Sequence, residues 1–107
     1  MSEFAGTLKE RIAIERPAEL RSPSGLQQPE WEPVARCLAA IVAEGAGPEA
    51  EAMALSAMPR FRVTIRSRDG ISIGQRVIWG NRKMLVRQRM DDPTLPDRIL
   101  LRCEEVR

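Results

Sequence analysis

The residues of this chain that could do chemistry are few and poorly placed for it. Cys37 and Cys103 are its two cysteines, and histidine is absent. A structural zinc site takes four Cys or His ligands, so no such metal centre is expected. In a reducing compartment the two thiols read as buried core side chains rather than as a disulfide. Asp91 and Asp92 are adjacent carboxylates, as an acid–base pair would need. They stand, however, at the head of Asp-Asp-Pro-Thr-Leu-Pro-Asp, with no other ligand type nearby, which is the pattern of a turn. No Gly-x-Ser-x-Gly element is present, and without histidine no serine or cysteine has its usual base. No catalytic residue, metal ligand or cofactor is expected, and the chain is not read as an enzyme.

What remains is charge, and it is unevenly laid out. Residues 1–59 carry five basic and nine acidic side chains, a net of −4, whereas residues 60–107 carry twelve basic and six acidic, a net of +6. Such asymmetry suits an anionic partner or a neighbouring copy of the same protein. Arginine supplies fifteen of the seventeen basic residues, a choice that suits fixed bidentate contacts and that a GC-rich genome also produces. Arg60, Arg62 and Arg66 form one row, a candidate for an intersubunit face or for the wall of a DNA channel. Trp31 and Trp79 could stack on bases, but tryptophans on alternating strands read first as core.

The elements that must position these side chains are mostly strands. A chain of 107 residues, 43 % hydrophobic and 30 % charged, is one globular domain with a modest core. It has no apolar run near the ~20 residues of a bilayer span. Met1–Gly6 lacks a basic region followed by an apolar one, so a cytoplasmic protein without a secretory signal is expected. Leu8–Arg16 predicts a first strand, with Ile12 and Ile14 on one face and Pro17 as its stop. The breaker-rich Arg21–Pro29 is a long exposed connection. Trp31–Val42 predicts a second strand, with Cys37, Ala39 and Ile41 on one face and Val34, Leu38 and Val42 on the other. A strand apolar on both faces is either covered twice or kinked by a bulge, and a helix over Val34–Glu44 competes with it.

Pro48 and the helix formers of Glu49–Met58 predict a short helix ended by Pro59. About ten residues cannot hold a helix alone in water, so it must pack through Met53, Leu55 and Met58. Arg60–Arg66 alternates cleanly, with Phe61, Val63 and Ile65 inward. Arg76–Arg87 predicts a hairpin around Gly80-Asn81, with Val77, Trp79, Met84 and Val86 facing one another. The last strand places Ile99, Leu101 and Cys103 inward. The expected fold is mainly β: a small six-stranded antiparallel barrel or sandwich with one short helix inserted between the second and third strands. The expected core is Ile12, Ile14, Trp31, Cys37, Ile41, Phe61, Val63, Ile65, Val77, Trp79, Val86, Ile99, Leu101 and Cys103.

Taken in order, these pieces resemble the head–tail joining family of long-tailed phages, also described as head–tail adaptor, head-closure or stopper proteins. The resemblance runs over residues 8–105. It begins with Leu8-x-x-Arg11-Ile12-x-Ile14-x-Arg16-Pro17, Ser24-Gly25 and Trp31-x-x-Val34-Ala35. It continues through Ala39-x-Ile41, the acidic alanine-rich stretch, Phe61-Arg62-Val63-x-Ile65-Arg66 and Gly70-Ile71-x-x-Gly74-x-Arg76-Val77, then Gly80-Asn81-Arg82 and Leu101-x-Cys103-x-Glu105. The ordered set is far more specific than any piece. Two departures stand out. Members tend to carry aromatics near Leu38 and Met84, and their first long loop often holds an Asp and paired Gly that Arg21–Pro29 lacks.

The resemblance implies one head–tail joining domain over 1–107, in which 8–43 holds two strands and a long loop, 44–59 the helical insertion and 60–106 a β-meander. It implies a virion component of the neck, assembled in the bacterial host cytoplasm, in a phage, a prophage or a gene transfer particle. Such a subunit forms a homo-oligomeric ring of six or twelve copies. It meets portal or adaptor proteins on the head side and a tail terminator or tail tube on the other, with double-stranded DNA in the lumen and no membrane partner. The insertion, through Pro48, Glu49, Glu51, Met53, Leu55 and Met58, would face the channel or contact the ring. Ser22, Ser24, Gly25, Gln27 and Gln28 would meet a partner ring, and Arg60, Arg62 and Arg66 would line an interface or the lumen. A tail-terminator-like ring protein and a small basic barrel that binds nucleic acid are the competing readings.

Overall fold

Six antiparallel strands close on themselves in the computed structural model, which describes residues 6–18, 30–44 and 59–106. They are β1 (Glu10–Pro17), β2 (Trp31–Ala43), β3 (Arg60–Arg66), β4 (Arg76–Trp79), β5 (Arg82–Met90) and β6 (Arg98–Glu105). The order around the barrel is β1-β2-β3-β6-β5-β4, with β4 returning to β1. Closure matters for so small a sheet, because an open edge would leave a row of unpaired backbone groups. The fold is therefore mainly β and a barrel, as the alternation implied. The expected helix at Glu49–Met58 and the loop at Arg21–Pro29 lie outside the described residues.

Alternating side chains fill the interior. Ile12, Ile14, Ala39, Phe61, Val63, Ile65, Val77, Met84, Val86, Ile99, Leu101 and Cys103 are buried in one cluster, joined by Ile71 from the β3–β4 connection. Fully burying one such aliphatic side chain contributes about 1.5–3 kcal/mol, so the barrel interior is the main source of stability. Cys37, Ile41 and Trp79 are half-buried and pack against this cluster from its rim. Trp31 departs from the expected core. It lies half-exposed at the start of β2, outside the cluster, with the Arg76 guanidinium 4.4 Å above its ring. It sits at the strand end, opposite Pro17, where among the described residues no second layer covers it.

The two-sided apolar character of β2 resolves into a bulge rather than a double cover or a helix. Ile14 pairs with Ala35 and Glu15 with Pro33, so Val34 is the extra residue. That one-residue slip turns Val34 towards the core, where it packs, although its sequence parity is opposite to that of Cys37 and Ala39. Leu38 and Val42 stay on the outer face, 45 % and 59 % exposed. Pro17 ends β1 but does not end the ladder, since the Ala18 amide donates to the Glu30 carbonyl at 2.8 Å.

Each turn is fixed by a short-range device. In the hairpin, Trp79 faces Arg82 across Gly80-Asn81. Only Gly80 takes a positive φ, of 61°, and Asn81 does not, which is the pattern of a II′ rather than a I′ turn. Between β3 and β4, the buried Gln75 side chain accepts the Ser72 amide at 3.1 Å and donates to the Gly70 carbonyl at 2.7 Å. Arg89 also donates to the Ile71 carbonyl.

Candidate interaction surface

Alternation that fills the barrel with aliphatic side chains necessarily puts their neighbours outside, and those neighbours are largely arginines. The ladder places Arg62 opposite Arg102 and Arg66 opposite Arg98. Like charges directly across a ladder repel, and the structure meets each pair with carboxylates. Glu44 lies 3.4 Å from Arg62 and 3.5 Å from Arg102. Glu104 lies 3.7 Å from Arg60 and 3.4 Å from Arg87. Two carboxylates thus serve four guanidiniums around an open groove of about 360 Å³. Asp97 hydrogen-bonds Arg98 at 3.0 Å, and with Arg66 nearby its carboxyl is held below the usual carboxylate range.

The row Arg60/Arg62/Arg66 is therefore one outer face of β3 but not one electrostatic unit. Its first two members share carboxylates with β5 and β6, and Arg66 shares the field of Asp97. Sequence reading found the row and missed the network. Arg87, Arg102, Glu44 and Glu104 lie far from it in sequence, and only strand order brings them together. Exposed pairs of this kind contribute little each, so their main effect is to leave a surplus of positive charge on a rigid wall.

Two further clusters sit at the rims. At the Trp31 end, Arg76 caps the indole and its Nε reaches Glu15 Oε1 at 2.6 Å. At the other end, Phe61 and Trp79 meet edge to face at 5.9 Å. Arg82 lies over both rings at 5.6 and 5.7 Å and reaches Glu105 at 3.6 Å. The Trp79 indole donates to Glu10 at 3.1 Å. Trp79 is thus held by Phe61, Arg82 and Glu10, and Trp31 has one ring face covered by Arg76.

The groups that could do chemistry are likewise accounted for. Asp91 bridges Arg89 at 3.1 Å. Asp92 accepts the Thr94 hydroxyl at 2.6 Å and the Thr94 amide at 2.9 Å. Those two hydrogen bonds, the hydroxyl foremost, hold its carboxyl below the ordinary value. It is a turn-former. Burial pushes the Cys103 thiol up to about 12, with Glu44 adding to the effect. Among the described residues no group of three or more His, Cys, Asp or Glu could hold a metal ion, and no helix is long and apolar enough to cross a membrane. The insertion residues Pro48, Glu49, Glu51, Met53, Leu55 and Met58 and the loop residues Ser22, Ser24, Gly25, Gln27 and Gln28 lie outside the described residues.

The barrel has solved relatives. The solution structure of protein SF1141 from Shigella flexneri 2a superposes with a TM-score of 0.67 at 22 % identity, over 94 % of each chain. A chain in the virion of a native gene transfer agent particle superposes with a TM-score of 0.67 at 16 % identity, over 92 % of this chain and 96 % of that one. At these identities the likeness is one of fold. No curated protein matches the sequence. A family model described as phage head completion protein matches residues 5–106.

Proposed function

The chain belongs to the phage head completion protein family, and from that premise we propose that it is a structural subunit of the head–tail connector. It would form a ring below the portal or adaptor, close the DNA-filled head and dock the tail. The match over residues 5–106 carries this reading, and a barrel shared with a component of a gene transfer agent virion supports it. The particle is a tailed phage, a prophage or a gene transfer particle, assembled in the host cytoplasm, with DNA passing through the ring.

Within that reading the whole chain is one joining domain. The barrel is a rigid frame, the segment between β1 and β2 would meet a partner ring, and the segment between β2 and β3 would face the channel or contact the ring. Phosphate-lined DNA needs only a positive wall and no sequence readout, which the surplus arginines of β3, β5 and β6 would provide. Shared carboxylates keep that wall from holding DNA tightly.

Electron microscopy of particles lacking this protein tests the role. Filled heads that leak DNA and carry no tails are expected. Normal heads with abnormally long tails would overturn the reading in favour of a tail terminator. Intact particles with a salt-dependent DNA shift by the isolated protein would favour a nucleic-acid-binding barrel.

A further inference from the structure

A second groove, of about 510 Å³, lies on the opposite wall of the barrel, over β4, β1 and β2. Ladder pairing lays out its surface. Lys83 faces Ile78, Ile78 faces Ala13 and Ala13 faces Arg36, a row across four strands. Arg11 faces Leu38 beside it. Arg11, Arg36 and Lys83 are exposed, and among the described residues none of them bridges a carboxylate. This differs from the first groove, where Glu44 and Glu104 answer every guanidinium that lines it. Three cations without a carboxylate partner among the described residues here frame three apolar side chains, and Leu38 is 45 % exposed.

We propose that this wall is a docking surface for a second copy of this chain, taken through the acidic stretch between β2 and β3. Charge complementarity selects the occupant. Residues 45–58 contain Glu49 and Glu51 and no cation, and they continue as Ala-Met-Ala-Leu. They offer carboxylates and apolar side chains together, which is what Arg11, Arg36, Lys83 and Leu38 can receive. The stretch leaves and re-enters the barrel at Glu44 and Pro59, where the Glu44 amide donates to the Arg60 carbonyl and the Glu105 amide to the Pro59 carbonyl. The arginines at that end already have Glu44 and Glu104. Duplex DNA would satisfy the cations but would leave Leu38 and Ile78 against phosphates. The wall and the acidic stretch are different surfaces, so the contact is heterologous and propagates from copy to copy.

The inference rests on the ring reading above and names the surfaces that would meet. Sedimentation of the full chain over rising concentration tests it, with circular dichroism to confirm that each variant folds. Arg11→Glu with Arg36→Glu is expected to weaken self-association by about tenfold or more, since like charges brought together across an interface cost several kcal/mol. Glu49→Arg with Glu51→Arg is expected to do the same. An equimolar mixture of the two double variants should regain association, because each reversed surface then meets its complement. Unchanged association in either variant would overturn the proposal, as would failure of the mixture to recover. Loss of a duplex DNA shift in Arg11→Glu/Arg36→Glu, without loss of self-association, would assign the wall to nucleic acid instead. If the full chain alone stays monomeric, as a subunit that assembles only on the portal or adaptor would, the ring reading is decided separately by the particles lacking the protein. A labelled peptide of residues 44–59 then decides the surface. Binding to the native chain but not to Arg11→Glu/Arg36→Glu supports it, and no binding overturns it.

Discussion

At the residue scale the informative side chains are those whose chemistry the fold has removed. Cys103 sits on β6 opposite Val86 and Phe61, is 2 % exposed, and has its thiol pushed up to about 12 from 9.0. The folded state therefore holds this proton more tightly than the unfolded chain. Its contribution to stability is complete below about pH 9 and is lost as pH rises from there towards 12. Ellman's reagent at pH 8 is expected to leave Cys103 unmodified in the native protein of a Cys37→Ser variant and to titrate it at once in denaturant; prompt native reaction would contradict its burial. The interior position of Cys103 was legible in the sequence from its alternation with Leu101 and Ile99. The placement of Trp31 was not, because a tryptophan that opens a strand looks the same whether a neighbouring element covers it or an arginine from β4 does.

At the element scale the strands were readable because each exposes a polar row and buries an apolar one, a period of two that survives in β1, β3 and β6 and in β5 as far as Val86, beyond which a bulge at Arg87 shifts the register. In β2 the same rule misleads. The bulge at Val34 changes which parity faces inward partway along the strand, and nothing in a single run of residues marks where that change falls. Met84 and Ala39, both with 0 % exposure, were also absent from the expected core; neither is large and branched, yet closure of the barrel seals them in. The β4–β5 hairpin depends on one backbone angle. A Cβ on Gly80 would meet nothing within 4 Å, so the cost of substitution is that of φ = +61° alone. Gly80→Ala is expected to destabilise by about 1 kcal/mol, and Gly80→Asn by less, because asparagine visits the left-handed region more readily. Chemical denaturation checks the order; equal losses for both would show that something other than the turn angle is at stake.

At the scale of the whole molecule, the barrel is the part that folds, and under the proposed docking the acidic stretch of residues 45–58 would be the part that assembles. The ends of residues 45–58 are held side by side by backbone hydrogen bonds at Glu44, Arg60, Pro59 and Glu105, so the barrel has no need of the intervening chain to close. Replacing residues 45–58 by a short Gly/Ser linker is expected to leave the thermal transition within a few degrees, since loop closure depends only weakly on length. The same change should abolish assembly. A collapse of the barrel on shortening would show that the insertion is part of the fold. Strand order then has a mechanical meaning. The insertion joins adjacent antiparallel strands, so a pull on it draws β2 and β3 along their axes together. Their flanks are β1 on one side and β6 on the other, and the load is resisted as shear along two full ladders rather than by peeling one bond at a time.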